Sequence, residues 1–293
     1  MHRDPTQLYA DLLKGCLTRA LFEDNDHIVG WNAPLTTRHR IARVVSKALW
    51  TQRLQLVRRR PYESDARAGG RDWPERAETM IGLRRLDNLE RCIRTVVDER
   101  VPGDLLEAGV WRGGAVIFMR AMLEVLGDED RIVWAADSFK GLPKPDESKY
   151  PVDRGDRHHQ REELAVDLHT VKRNLRRYGL LDERVRFLPG WFSDTLESAP
   201  IERLAIARLD CDMYSSTIEA LDALYPRVSD GGFVIVDDYF AVAGCQEAVL
   251  DYRRRNAIED QICDIDGMGV YWRKVIRSVR NTGRGSAQSR VNR

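Results

Sequence analysis

Residues 105–114 read LLEAGVWRGG, an apolar run that passes through Glu107 into a turn with glycines at 109, 113 and 114. An apolar stretch entering glycines and then the helical pattern of 113–126 marks a strand–turn–helix unit. Glycines at such a turn let the backbone approach a ligand closely and adopt positive φ where needed. The N-terminal amides of the helix face the same point and favour a carboxylate or phosphate. The spacing is GxxxGG, not the GxGxxG of dinucleotide sites. An acidic residue two before the first glycine suits a ligand with an ammonium group, such as the methionine end of S-adenosylmethionine. Glu107, Gly109 and Gly113 are therefore candidate cofactor contacts.

Outward from this turn, strands and helices alternate. Further strands are expected at 131–137, 185–191, 204–212 and 231–239, with helical stretches at roughly 160–179, 216–227 and 243–256. Strands separated by helix-length segments predict βαβ crossovers and a parallel sheet. IEDQICDI (258–265) and GVYWRK (269–274), split by Asp266 and Gly267, predict a terminal antiparallel hairpin. The expected fold class is α/β, a Rossmann-like, mostly parallel sheet of the class I methyltransferase kind; function does not follow from that layout alone. Ser216 with Glu219 has the pattern of a capping box at the start of the helix after the fourth strand. Composition divides the chain into an N-terminal helical extension (1–72), the α/β domain (73–274) and a basic tail (275–293) rich in Gly, Ser and Asn, expected to be disordered.

The strand ends carry the remaining chemistry. Asp137 closes the second strand, 28 residues after Gly109, where a carboxylate can accept hydrogen bonds from both hydroxyls of a ribose. Phe192 and Ser193, after the third strand, suit the face and edge of an adenine ring, and Trp191 and Phe192 equally suit a plain core role. The fourth strand ends Asp210-Cys211-Asp212 and the fifth Asp237-Asp238. Four carboxylates at the edge where open α/β sheets bind ligands would repel one another unless a cation joins them. Oxygen-only donors favour magnesium. Asp210, Asp237 and Asp238 are the expected metal ligands and Asp212 the expected base, deprotonating an acceptor hydroxyl for in-line attack on a sulfonium methyl. His158 and His159 are expected to face solvent in a polar loop able to fold over the site.

Composition excludes several classes. A net charge of +1 gives no global pull toward nucleic acid or an acidic membrane. Five cysteines, odd in number and without a CxxC pair, argue against a disulfide framework or structural zinc. The N-terminus has no long apolar run and reads as neither secretory signal nor anchor, so a reduced, cytoplasmic protein is expected.

The chain resembles the macrocin O-methyltransferase family, enzymes that methylate deoxysugar hydroxyls of antibiotics. The matching blocks are GRDWPERAETMIGLRRLDNLE (70–90), EAGVWRGG (107–114), DSFKGLP (137–143), YGLLDERVRFLPGWFSDTL (178–196), LDCDMYSST (209–217), FVIVDDY (233–239) and GVYWRK (269–274), with LYADLLKGCLTRALF (8–22) as the opening helix. The resemblance implies magnesium-dependent methyl transfer from S-adenosylmethionine to a glycosylated small molecule, with the aspartates in the roles given above. It also implies homo-oligomers, an N-terminal lid over the substrate, and Ser138, Met80 and Ile81 near the cofactor. Two departures stand out: a longer basic insert around 38–60, and Cys211 where the family carries a smaller residue. Other readings of the residues are a catechol or phenol acceptor, and a glycosyltransferase using Asp210-Cys211-Asp212 as a DxD motif.

Overall fold

A computed structural model describes residues 4–23, 25–29 and 37–275; all but the first residue of the expected tail lies outside them. The elements are α1 (Pro5–Leu17), β1 (Asp26–Ile28), α2 (Thr37–Thr51), β2 (Val57–Arg59), α3 (Ser64–Ala68), α4 (Gly82–Asp98), β3 (Asp104–Ala108), α5 (Gly114–Val125), β4 (Val133–Asp137), α6 (Leu168–Arg177), β5 (Val185–Pro189), α7 (Phe192–Thr195), β6 (Leu204–Leu209), α8 (Tyr214–Leu224), β7 (Val228–Val236), α9 (Ala243–Arg255), β8 (Cys263–Asp264) and β9 (Val270–Arg273). Short 3-10 turns fill several of the connections.

A seven-stranded sheet runs β5-β4-β3-β6-β7-β9-β8. The first four pairings along that order are parallel, and β9 and β8 close it antiparallel, as the sequence predicts. The strand order reverses at β3, with β4 on one side and β6 on the other, which opens a crevice beyond their carboxyl ends. Leu105 and Leu106 point to opposite faces and are both fully buried, because each face has its own apolar layer. One layer takes in α1, α4, α5 and α6; the other takes in α8 and α9.

Local chemistry moves some boundaries. The helix expected over 160–179 exists only as α6, because Asp167 caps it by accepting the Thr170 N–H at 2.9 Å; residues 158–164 form two single turns instead. The helix after β6 starts at Tyr214, two residues before the expected capping box. Its cap comes from Asp153, whose two carboxylate oxygens accept from the Tyr214 and Ser215 amides at 2.8 and 3.0 Å. A cap supplied from 61 residues away leaves no local trace. β6 ends at Leu209 and β7 at Val236, so the aspartates sit in the turns just past the strand tips. α4, beyond the elements expected from sequence, is a strongly amphipathic helix over 17 residues.

The N-terminal segment is tied into the core. Ala10, Leu13 and Leu17 of α1 are buried, and Lys14 Nζ reaches Asp87 at 2.5 Å and Glu90 at 2.9 Å on α4. The Leu17 carbonyl accepts from the Glu78 and Thr79 amides, and the Glu78 carbonyl accepts from Gly114 at the start of α5. Residues 78–81 are thereby held against the cavity mouth. By contrast, β1 and β2 pair only with each other, and α2 between them leaves Ile41, Val44 and Trp50 about two-thirds exposed.

Lys14→Ala removes the cation between α1 and α4 and leaves the buried Glu90 carboxylate with Arg94 alone. A loss of about 2 kcal/mol is expected, together with faster amide exchange in α1 and residues 78–81. Thermal denaturation and hydrogen–deuterium exchange check this; an unchanged exchange pattern would mean that the Lys14 ion pairs do not hold α1 in place.

Candidate active site

The β3–α5 turn needs its glycines. Gly109 has φ +88°, and a Cβ there would lie 1.8 Å from the Asp210 carbonyl oxygen, so no other residue fits. Gly113 precedes α5 at φ +87°. Trp111, at φ +45°, stacks on Trp73 with ring centroids 6.4 Å apart, and its indole N–H donates to the Glu163 carbonyl at 2.9 Å. Arg161 lies over the other ring, 4.6 Å from the Trp73 centroid. Residues 70–80 and the 156–164 loop thus meet above the turn and roof a cavity of about 380 Å³ at the carboxyl edge of the sheet.

Met80, Gly109, Asp137, Ser138, Phe192 and Ser193 all line this cavity. Glu107, Ile81 and Gly113 lie behind its wall; Glu107 and Ile81 are each 2% exposed. Asp137 does more than face the cavity. Its Oδ2 accepts the Val110 amide at 2.7 Å and its Oδ1 the Phe139 amide at 2.7 Å, so one carboxylate braces the turns after β3 and β4. Ser138 donates to the Gly141 carbonyl and so shapes its own turn.

Asp210, Asp237 and Asp238 each offer a carboxylate oxygen within 4.8 Å of the others. Asp212 shares the cavity with them, at φ +56°, a conformation that Asp tolerates better than most residues. The Asp212 amide donates to Asp238 Oδ2 at 3.2 Å. Two buried guanidiniums, which sequence reading gave no role, neutralise part of this charge. Arg208 Nη1 donates to Glu107 Oε1 at 2.5 Å and to Asp210 Oδ2 at 3.0 Å, and its Nη2 to Asp237 Oδ1 at 2.5 Å. Arg85, on α4, donates to Asp237 Oδ2. An arginine inside the otherwise apolar strand LAIARL was a legible signal for Arg208. Nothing local marked Arg85, which meets Asp237 across 152 residues.

Burial dominates the titration of these groups. Desolvation pushes Asp210 up to about 7, assisted by Asp237 alongside, and it raises Asp212, Asp238 and Asp137 above the ordinary carboxylate range. His158, expected to face solvent, instead lines the cavity with its Nδ1 2.7 Å from Asp156 Oδ2. Asp156, two residues earlier in the same loop, also accepts the His158 amide at 2.8 Å and so fixes the turn that presents the ring to the cavity.

Glu107 supplies a test of fit for the cofactor. Its Oε1 is held by Arg208, while its Oε2 is buried without a hydrogen-bond partner. Such an atom calls for a donor, and an ammonium group meets it. Burial raises the Glu107 carboxyl from 4.5 up to about 8. The folded, ligand-free protein therefore holds a proton that the unfolded chain releases. That stabilisation is complete below the unfolded value of 4.5 and is lost as pH rises through about 8. With chelator present, the melting temperature is expected to fall between about pH 5 and about pH 8.5, and to fall less in Glu107→Gln. Equal slopes in the two proteins would mean that Glu107 is ionised throughout.

Comparison with known proteins bears on the same architecture. Residues 6–274 match the family described as Macrocin-O-methyltransferase (TylF). The chain is 49% identical over 282 residues to 8-demethyl-8-(2,3-dimethoxy-alpha-L-rhamnosyl)-tetracenomycin-C 4'-O-methyltransferase of Streptomyces olivaceus, covering 96% of this chain and 98% of that one. It is 44% identical over 271 residues to Mycinamicin III 3''-O-methyltransferase of Micromonospora griseorubida, covering 92% and 96%. Among solved structures, the O-methyltransferase NovP superposes with a TM-score of 0.80 at 44% identity, covering 92% of this chain and all of that one. The calicheamicin methyltransferase CalS11, at 19% identity and a TM-score of 0.55 over 93% of this chain and 94% of that one, shares the fold. With the predicted sheet, cavity and matches all in agreement, the chain belongs to the macrocin O-methyltransferase family and is an S-adenosylmethionine-dependent O-methyltransferase.

Proposed function

We propose that this enzyme methylates a hydroxyl of a deoxysugar carried by a natural product of an antibiotic pathway, with Mg2+ held by Asp210, Asp237 and Asp238. The observation that carries the reading is the three-carboxylate cluster at the cavity that Asp137 also lines, with the unpartnered Oε2 of Glu107 buried behind its wall. The sugar acceptor rests on relatives whose names specify glycosylated antibiotics.

When bound, the cofactor supplies an electrophilic sulfonium methyl, and the metal lowers the pKa of an acceptor hydroxyl and fixes its direction. The chain's own residues do the rest. Glu107 Oε2 receives the ammonium group of the cofactor. Asp137, whose Oδ2 accepts the Val110 and Trp111 amides and whose Oδ1 accepts that of Phe139, faces the cavity and receives the ribose hydroxyls, chiefly at Oδ1. Phe192 and Ser193 border the adenine, and Met80 and Ile81 shape the mouth. Asp212 takes the hydroxyl proton as the oxygen attacks the methyl carbon and the carbon–sulfur bond breaks. The Trp73–Trp111 roof excludes water, which would otherwise compete for the open cavity.

Residues 1–72 act as the lid in this reading, and the exposed apolar side chains of α1 and α2, Leu12, Ile41 and Val44 among them, suit a homo-oligomer interface. No helix among the described residues is long and apolar enough to cross a membrane, in keeping with a cytoplasmic enzyme.

Two substitutions test the assignment. Asp137→Ala is expected to abolish micromolar binding of S-adenosylhomocysteine in calorimetry. Asp212→Asn, which keeps the left-handed backbone, is expected to leave that binding intact and to lower kcat by about a hundredfold or more. Retained turnover in Asp212→Asn would remove it as the base, and tight binding by Asp137→Ala would move the ribose elsewhere.

A further inference from the structure

We propose that Arg85 is an internal counter-cation that holds Asp237 while no divalent ion is bound and passes to Asp266 when one is. This rests on the metal reading of Asp210, Asp237 and Asp238 given above.

Asp237 is 3% exposed, and both of its oxygens serve guanidiniums, Oδ1 that of Arg208 and Oδ2 that of Arg85. The two arginines differ in what else they can do. Arg208 is locked, because its Nη1 is shared between Glu107 and Asp210 and its side chain is 2% exposed within β6. Arg85 has somewhere to go. Its Nε lies 3.1 Å from Asp266 Oδ2, a wholly buried side chain. The Nε–H is nevertheless not aimed at that oxygen, and neither atom makes a hydrogen bond.

Two complementary buried atoms side by side and unjoined leave both desolvated without return. A small rotation of the guanidinium joins them and draws Nη1 away from Asp237. The receiving carboxylate is already fixed, since Asp266 Oδ1 accepts the Met268 and Gly269 amides at 3.1 Å each. Around the guanidinium the walls give way easily. Met268 Sδ lies 4.0 Å from Nη2, and Gly70 has no side chain where a Cβ would come within 2.7 Å of the same nitrogen.

Charge supplies the drive. A divalent cation on the three aspartates makes the Arg85 charge redundant at Asp237 and repels it, while Asp266 still lacks a full partner. One side chain thus bonds Asp237 in the first state and Asp266 in the second, while Arg208 keeps its bond to Asp237 throughout.

The test is Mn2+ titrated into chelator-stripped, cofactor-free protein, followed by the electron paramagnetic resonance of the free ion. Asp266→Asn keeps both amide bonds through its carbonyl oxygen and removes the receiving charge. It is expected to weaken Mn2+ binding roughly five- to tenfold. Arg85→Gln removes the competitor, so Mn2+ is expected to bind at least as tightly as in wild type. Adding Asp266→Asn to Arg85→Gln is expected to change nothing further. Loss of negative charge alone would instead weaken binding in both backgrounds, and that result overturns the proposal, as does weaker binding by Arg85→Gln. Should Arg85→Gln fail to fold by circular dichroism, Asp266→Asn still decides, because unchanged Mn2+ affinity in it rules the proposal out. Wild-type protein that binds no Mn2+ overturns the metal reading and this proposal together; wild-type binding with an indifferent Asp266→Asn overturns this one alone.

Discussion

Arg208 sits where three strands deliver acid to one point, and the arrangement of the site follows from that side chain. Its guanidinium engages one oxygen each of Glu107, Asp210 and Asp237 from the ends of β3, β6 and β7. Burying those carboxylates without a cation would cost several kcal/mol apiece. With it, each keeps a defined orientation, and Glu107 is left with one buried oxygen that has no hydrogen-bond partner. The planar, five-donor fork of arginine suits the task; lysine offers a single point charge and no fixed directions.

The same point explains why the sheet edge is reactive rather than merely charged. β3, β6 and β7 are parallel neighbours, so their carboxyl ends stop at one level and their turns converge. Gly109 allows the turn after β3 to pass against the Asp210 backbone, closer than any side chain permits. Asp137 then ties that turn to the end of β4. One cavity is lined both by Asp137 and Phe192 and by the acidic cluster, so the cofactor proposed above would lie beside the groups proposed to activate an acceptor.

Much of this was legible in the chain. The glycine turn, the alternation of strands and helices, and the paired aspartates are local patterns, and the sheet order, cavity and cluster agree with them. The differences have separate causes. The cap on α8 comes from Asp153, His158 is drawn into the cavity by its loop, and the helix before β5 begins late because Asp167 stops the chain from winding earlier. The α8 cap depends on a partner 61 residues away, and propensity near the residue cannot report it.

The sequence by itself determined the fold class, the enzyme family and which aspartates stand at the strand tips, because hydrophobic periodicity and turn glycines act over a few residues. Only the tertiary structure decided how the acid is balanced. Arg85 arrives at Asp237 from a helix 152 residues earlier, and Asp266 reaches Arg85 from the turn between β8 and β9. Charge compensation in a buried site depends on distance through space, and the order of residues along the chain does not encode that distance until the chain has folded.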